Sequence, residues 1–167
     1  AVNERTRLVF VETIANPRTQ VTALEEIGAL CRERGLVYVV DNTMTSPYLF
    51  QPKAVGASLV VNSLTKYIGG HGNALGGALT EMGSFDWRGF DNIYEAYRKG
   101  EPATWGITQI KKKGLRDFGA SLGPEAAHHI AVGAETLGLR LERQCASSRA
   151  LTRFLDGHPR VKRVYYP

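Results

Sequence analysis

A chain of 167 residues, 43% hydrophobic and 22% charged, can bury one respectable core, so one globular domain is the expected unit. No apolar run approaches the ~18 residues of a membrane span and no basic-then-apolar leader opens the chain, so a cytoplasmic, non-membrane protein is expected. The net charge of +5 invites a nucleic-acid reading, but the basic residues are scattered, Lys111-Lys112-Lys113 reads as a solvated loop or helix end, and no nucleic-acid module is present.

Leu8 to Val11 reads as a strand ending at Glu12, and Pro17 prevents its simple continuation. Thr22 with Glu25 three residues later predicts a capping-box helix start. Leu24, Ile27 and Cys31 share a helical face, and Gly35 after Arg32 and Arg34 marks the stop. Leu36 to Val40 is a second strand, so the segment is a βαβ unit whose crossover should be right-handed. These runs alternate so little that both faces of the sheet are expected to be covered. The two cysteines, Cys31 and Cys145, lie far apart on apparent helix faces, which suits reduced, packed thiols.

Leu59 to Val61 is a third apolar run, and it leads into Ser63-Leu64-Thr65-Lys66 and then glycines 69, 70, 72, 76 and 77. In extended chain Ser63 and Thr65 point to one side, so both hydroxyls could reach one phosphate while Lys66 points elsewhere. A lysine beside a phosphate cradle suits a phosphorylated aldehyde, whose carbonyl condenses with the amine. Pyridoxal phosphate is such an aldehyde. Its ring nitrogen needs a carboxylate partner, and Asp41 stands at the end of the second strand, followed by Asn42 and Thr43. Ligands of parallel α/β sheets collect at the carboxyl ends of strands, so Asp41 and Lys66 are expected to face one pocket. Each has a plainer reading alone: a lysine after a strand is commonly solvated, and an aspartate there commonly forms a turn or caps a helix. The lysine precedes the glycines and no Gly-Lys-Ser/Thr follows them, which excludes a P-loop, and no dinucleotide-binding glycine pattern is present.

Ala78 to Thr80 begins a fourth strand. Residues 81 to 123 are less regular, and the aromatics Phe85, Trp87, Phe90, Tyr94, Tyr97 and Trp105 either fill a core, the favoured reading, or cover the site. Pro124 opens a helical pattern that runs with interruptions to Leu155, with Leu137, Leu141, Cys145, Leu151 and either Phe154 or Leu155 on one stripe. Gly157 and Pro159 end it. His128 and His129 are adjacent and would point different ways on a helix, which does not make a metal site.

Glu12-Thr13-Ile14-Ala15-Asn16-Pro17, Val40-Asp41-Asn42-Thr43, Ser63-Leu64-Thr65-Lys66-Tyr67 and Gly69-Gly70-His71-Gly72, in this order and spacing, resemble the pyridoxal-phosphate enzymes of cysteine and methionine metabolism, the trans-sulfuration family. Gly83-Ser84-Phe85-Asp86-Trp87 and the segment from Gly133 to Cys145 resemble its O-acetylhomoserine sulfhydrylase branch. The resemblance implies that Lys66 carries the cofactor and shuttles protons, that Asp41 pairs with the ring nitrogen, and that Ser63 and Thr65 bind the phosphate. It implies that Asn16 and Thr43 line the ring. The implied fold is α/β, a mostly parallel sheet flanked by helices, the large domain of fold-type I enzymes related to aspartate aminotransferase, here incomplete.

On this reading residues 1–134 are part of the cofactor domain, 135–158 a linker helix, and 159–167 the first strand of a small C-terminal domain. The chain is expected to be an internal piece. Portions outside it would supply further phosphate contacts, an aromatic ring on the cofactor, and the arginine that grips the substrate carboxylate. Four positions depart from the family pattern: Ser58 replaces a usual Asp, Met44 a usual Phe, and Glu125-Ala126 a usual Phe-Asn. The implied activity is γ-replacement on an O-acylhomoserine, foremost O-acetylhomoserine with sulfide to give homocysteine. Alternatives are cystathionine γ-synthase or γ-lyase, an O-succinylhomoserine enzyme, or a non-catalytic scaffold piece. The implied partners are the amino-acid substrate, sulfide or cysteine, and further copies in a homotetramer of paired dimers, with neither nucleic acid nor membrane.

Overall fold

The computed structural model describes residues 2–167. Its centre is a four-stranded sheet in the order β1-β2-β3-β4, with β1 Leu8–Glu12, β2 Val37–Asp41, β3 Leu59–Ser63 and β4 Gly77–Glu81. The first three strands are parallel and β4 is antiparallel to β3, so the mostly parallel sheet expected from the sequence is present. The register sets Glu12 beside Asp41 and Asp41 beside Val61, which brings the carboxyl ends of β1, β2 and β3 to one edge.

Two apolar layers sandwich β2 because its side chains alternate with period two. Tyr38 and Val40 pack with Cys31, Val55, Ala57 and Val60 under helix α1, Leu24–Arg34. Val37 and Val39 pack on the opposite face with Leu59, Trp87 and Ile93. Each such buried side chain contributes about 1.5–3 kcal/mol, and the pair of layers fixes β2 as the most buried strand. Helix α1 fits because it carries a glycine where it meets the chain: a Cβ on Gly28 would collide with the Val55 carbonyl. Gly35 ends the helix in the left-handed conformation (φ 62°), its N–H turned back onto the Arg32 and Cys31 carbonyls.

The aromatic stretch after β4 fills the second layer. Phe85, Trp87 and Phe90 meet edge to face with ring centroids 4.8–5.8 Å apart, and none of them lines the cleft described below. The chain then forms helix α3, Trp105–Gln109, continued by π-helical turns through Ile110–Phe118 that leave Lys111, Lys112 and Lys113 exposed. The expected long helix is two: α4, Pro124–Glu135, and α5, Leu137–Asp156, meeting at Thr136. Both cysteines are free thiols. A short helix, α2, Ser46–Leu49, follows β2.

Four expectations need correction. Thr22 does not cap α1: the N-cap is Ala23 with no side-chain bond, because the Thr22 hydroxyl donates instead to the Glu12 carbonyl (2.6 Å). Both-face coverage holds for β2 but not for β1, an edge strand whose Leu8 and Phe10 stay about half exposed. Of the α5 stripe only Leu141 is buried, and Leu151 and Phe154 face outward. Residues 159–167 form no strand, since a strand needs a ladder partner and none of the described residues pairs with them.

Candidate active site

The site grows from the strand ends. Asp41 is the last residue of β2, and its Oδ1 accepts the Thr43 N–H (2.9 Å), an Asx turn that fixes the carboxylate and leaves Oδ2 without a hydrogen bond among the described residues. Asn42, fully buried, ties the neighbouring loops together. Its side-chain amide donates to the Phe50 carbonyl (2.9 Å) and its Oδ1 accepts the Thr45 hydroxyl (2.5 Å), while its own carbonyl accepts from the Asn62 amide (3.0 Å). The Thr43 hydroxyl accepts the Ser63 N–H (2.8 Å), so the loop after β2 is stitched to the end of β3.

Beyond Ser63 the chain turns into one π-helical turn, Leu64–Ile68, interrupted at Lys66 by a non-helical backbone (φ −91°, ψ −119°). The Thr65 hydroxyl accepts the Gly76 N–H (3.0 Å) and approaches the Gly76 carbonyl (3.3 Å), which closes the glycine-rich loop onto this turn. The Ser63 hydroxyl makes no hydrogen bond among the described residues, and Lys66 is exposed with no ion pair among them.

Asn16, Asp41, Thr43, Ser63, Thr65 and Lys66 line one open cleft of about 640 Å3 at the carboxyl edge of the sheet. That is within the range of small-molecule sites, roughly 300–1,000 Å3. The residues that the sequence singled out therefore meet, but not by the geometry expected. Ser63 and Thr65 are not alternate residues of one strand, because β3 ends at Ser63 and Thr65 lies in the turn. Lys66 does not point elsewhere, since the broken turn returns it to the same cleft. Asn16 reaches it from the loop after β1, its N–H held by Glu12 Oε2 (3.1 Å).

Four further polar side chains line the cleft that the sequence did not mark as site residues: Glu12, Tyr67, Arg140 and Gln144. Glu12 had a signal, since it ends β1 as Asp41 ends β2. Arg140 and Gln144 arrive from α5 by tertiary packing, and the resemblance covered their segment without giving either a place in the site. The donor set suits pyridoxal phosphate: an amine for the carbonyl, a carboxylate oxygen left over for the ring nitrogen, and an uncommitted hydroxyl for the phosphate.

The sequence model described as Cys/Met metabolism PLP-dependent enzyme matches residues 1–167. The chain is 37% identical to an O-acetyl-L-homoserine sulfhydrylase of Leptospira meyeri, with all of this chain and 42% of that protein aligned. It is 36% identical to an L-methionine gamma-lyase of Fusobacterium nucleatum, covering 38% of that protein. Among solved structures, 99% of the chain superposes on 44% of an assigned O-acetylhomoserine (thiol)-lyase of Campylobacter jejuni, with a TM-score of 0.87 and 32% identity. That protein carries a pyridoxyl phosphate on a lysine. The chain thus spans less than half the length of each protein.

Proposed function

The chain belongs to the family of PLP-dependent enzymes of cysteine and methionine metabolism, and from that premise we propose that the cleft is the cofactor-bearing half of a site for γ-replacement on an O-acylhomoserine. The preferred reaction is O-acetylhomoserine with sulfide, giving homocysteine and acetate. The observation that carries this reading is the convergence of Asp41, Ser63, Thr65 and Lys66 on one cleft. Asn16 and Thr43 belong to the same proposal as residues beside the cofactor ring.

When bound, pyridoxal phosphate supplies a carbonyl that condenses with amines and a protonated ring that takes up the electron pair released at a substrate carbon. The chain's own residues do the rest. Lys66 Nζ anchors the cofactor and, once displaced by the substrate amine, takes the proton from the substrate α-carbon and returns one later. Asp41 Oδ2 holds the proton at the ring nitrogen, a role open to it because Oδ1 is occupied by the Thr43 N–H. Ser63 donates its hydroxyl to the phosphate. Thr65, whose oxygen is fixed by the Gly76 N–H, would turn its O–H from the Gly76 carbonyl to the phosphate.

The methionine gamma-lyase relative favours a second reading, elimination from methionine rather than replacement on an ester. Assaying the full-length protein with O-acetylhomoserine and O-succinylhomoserine, each with sulfide or cysteine, and with methionine alone separates the readings. The preferred one requires homocysteine from the acetyl ester and sulfide. Turnover of methionine alone, with neither ester used, contradicts it.

A further inference from the structure

The turn that carries Lys66 runs out of donors for its own carbonyls. The Gly69 N–H returns to the Leu64 carbonyl (2.9 Å) and the Gly70 N–H to that of Lys66 (2.7 Å), but the Tyr67 and Ile68 carbonyls receive no backbone N–H among the described residues. Helix ends ordinarily leave such groups to water or to a cap. Here one guanidinium takes both. Arg140 Nη1 donates to the Tyr67 carbonyl (2.8 Å) and Nη2 to the Ile68 carbonyl (3.3 Å). Two further N–H groups hold it to the corner between α4 and α5: Nη2 to the Gly133 carbonyl (2.8 Å) and Nε to the Thr136 hydroxyl (3.1 Å).

The fit depends on missing side chains. A Cβ on Gly70, which sits at φ 74°, would collide with the Arg140 guanidinium, and one on Gly133 would collide with the Gly69 carbonyl. The helical corner is therefore pressed onto the two residues that follow the Lys66 turn. A planar fork of fixed N–H directions can cap two carbonyls and bind two more acceptors at once, which a lysine ammonium at the same place cannot reproduce. Arg140 also lines the cleft, but four of its five N–H groups already donate to protein oxygens, which leaves a single Nη1 N–H and no paired fork for a substrate carboxylate.

We propose that Arg140 is a positioning residue for Lys66: by capping the carbonyl end of the Lys66 turn from the first turn of α5, it sets where the amine stands in the cleft. The proposal rests on the reading of Lys66 as the cofactor-bearing amine. It makes the α4–α5 corner part of the site without touching the reacting atoms, so displacement of α5 would displace Lys66.

The test uses the full-length protein with Arg140→Lys and Thr136→Val, and with Lys66→Ala as the control. Hydrogen exchange without cofactor reads the turn directly. The Gly69 and Gly70 amides should exchange about tenfold faster in Arg140→Lys and less than that in Thr136→Val, while amides of β2 and β3 keep their protection. With pyridoxal phosphate added, the pH at which the Lys66-dependent visible band changes should move by at least about half a unit in Arg140→Lys, because the amine sits in altered surroundings. A lower melting temperature with unchanged turn exchange and unchanged band titration would overturn the proposal, leaving Arg140 a structural clamp only. If Arg140→Lys loses β2 and β3 protection as well, Thr136→Val decides by the same two readouts. A wild-type protein whose band is the same in Lys66→Ala overturns the cofactor reading and this inference together, which distinguishes that failure from one confined to Arg140.

Discussion

Two groups of polar side chains lie at opposite regions of the sheet and have opposite fates. In the cleft, Asp41, Ser63 and Lys66 keep uncommitted hydrogen-bonding capacity facing an open cavity. In the aromatic layer, the Glu81 carboxylate oxygens and the Trp87 and Trp105 indole nitrogens are buried without a hydrogen bond of normal geometry. Burial pushes the Glu81 carboxyl up to about 7, although the nearby Ile107 N–H, Trp87 indole and Gly83 N–H pull the other way. Shifted titration marks many functional sites, yet here the largest carboxyl shift sits away from the cleft that the family's chemistry needs. Burial explains Glu81 by itself. What marks the cleft is convergence of several unlike groups on one space.

The comparison breaks first at Asp41. Replacing it with Asn keeps an oxygen for the Thr43 N–H but removes the charge proposed to hold the ring proton, so kcat of the full-length enzyme should fall roughly 100- to 1,000-fold with little change in melting temperature. A large loss of stability would instead make Asp41 a turn former. Next is Gly28→Ala, remote from the cleft, which forces α1 off the Val55 carbonyl. It should cost about 2–3 kcal/mol in denaturant unfolding while leaving kcat of the surviving folded enzyme unchanged.

Glu81 supplies the third. Its folded value is raised, so the folded state holds the proton more tightly than the unfolded chain does. Its stabilising contribution is fully present below the unfolded value of 4.5 and is lost as pH rises to about 7. Allowing for partial solvent access, the loss is about 2 kcal/mol. Glu81→Gln should flatten that slope in unfolding measurements between pH 5 and 8 and leave cofactor binding unchanged. The smallest effect distinguishes the two hydroxyls. Ser63→Ala should weaken pyridoxal phosphate binding about tenfold in a titration, since its hydroxyl is spare, whereas Thr65→Val should also loosen the loop at Gly76 and lower stability by about 1 kcal/mol.

Strand ends were legible because strands announce themselves as apolar runs and a polar residue closes each run at the edge of the sheet. Asp41, Ser63 and Glu12 all occupy such places. Lys66 was legible by type and position but not by direction, because nothing in Leu64–Ile68 signals a π-helical turn broken in its middle. Thr22 misled because its hydroxyl had a better acceptor ten residues back, a tertiary choice that a local capping pattern does not encode. Arg140 shows the limit most clearly. It stands 74 positions beyond Lys66 in sequence (140 − 66), and its partners are backbone carbonyls, which every residue carries alike.

The most direct measurement is borohydride reduction of the full-length protein loaded with pyridoxal phosphate, followed by mass-spectrometric mapping of the pyridoxyl group. A single label on Lys66, absent from Lys66→Ala, is the result expected. A label on any other lysine, or none at all, would contradict the assignment of this cleft.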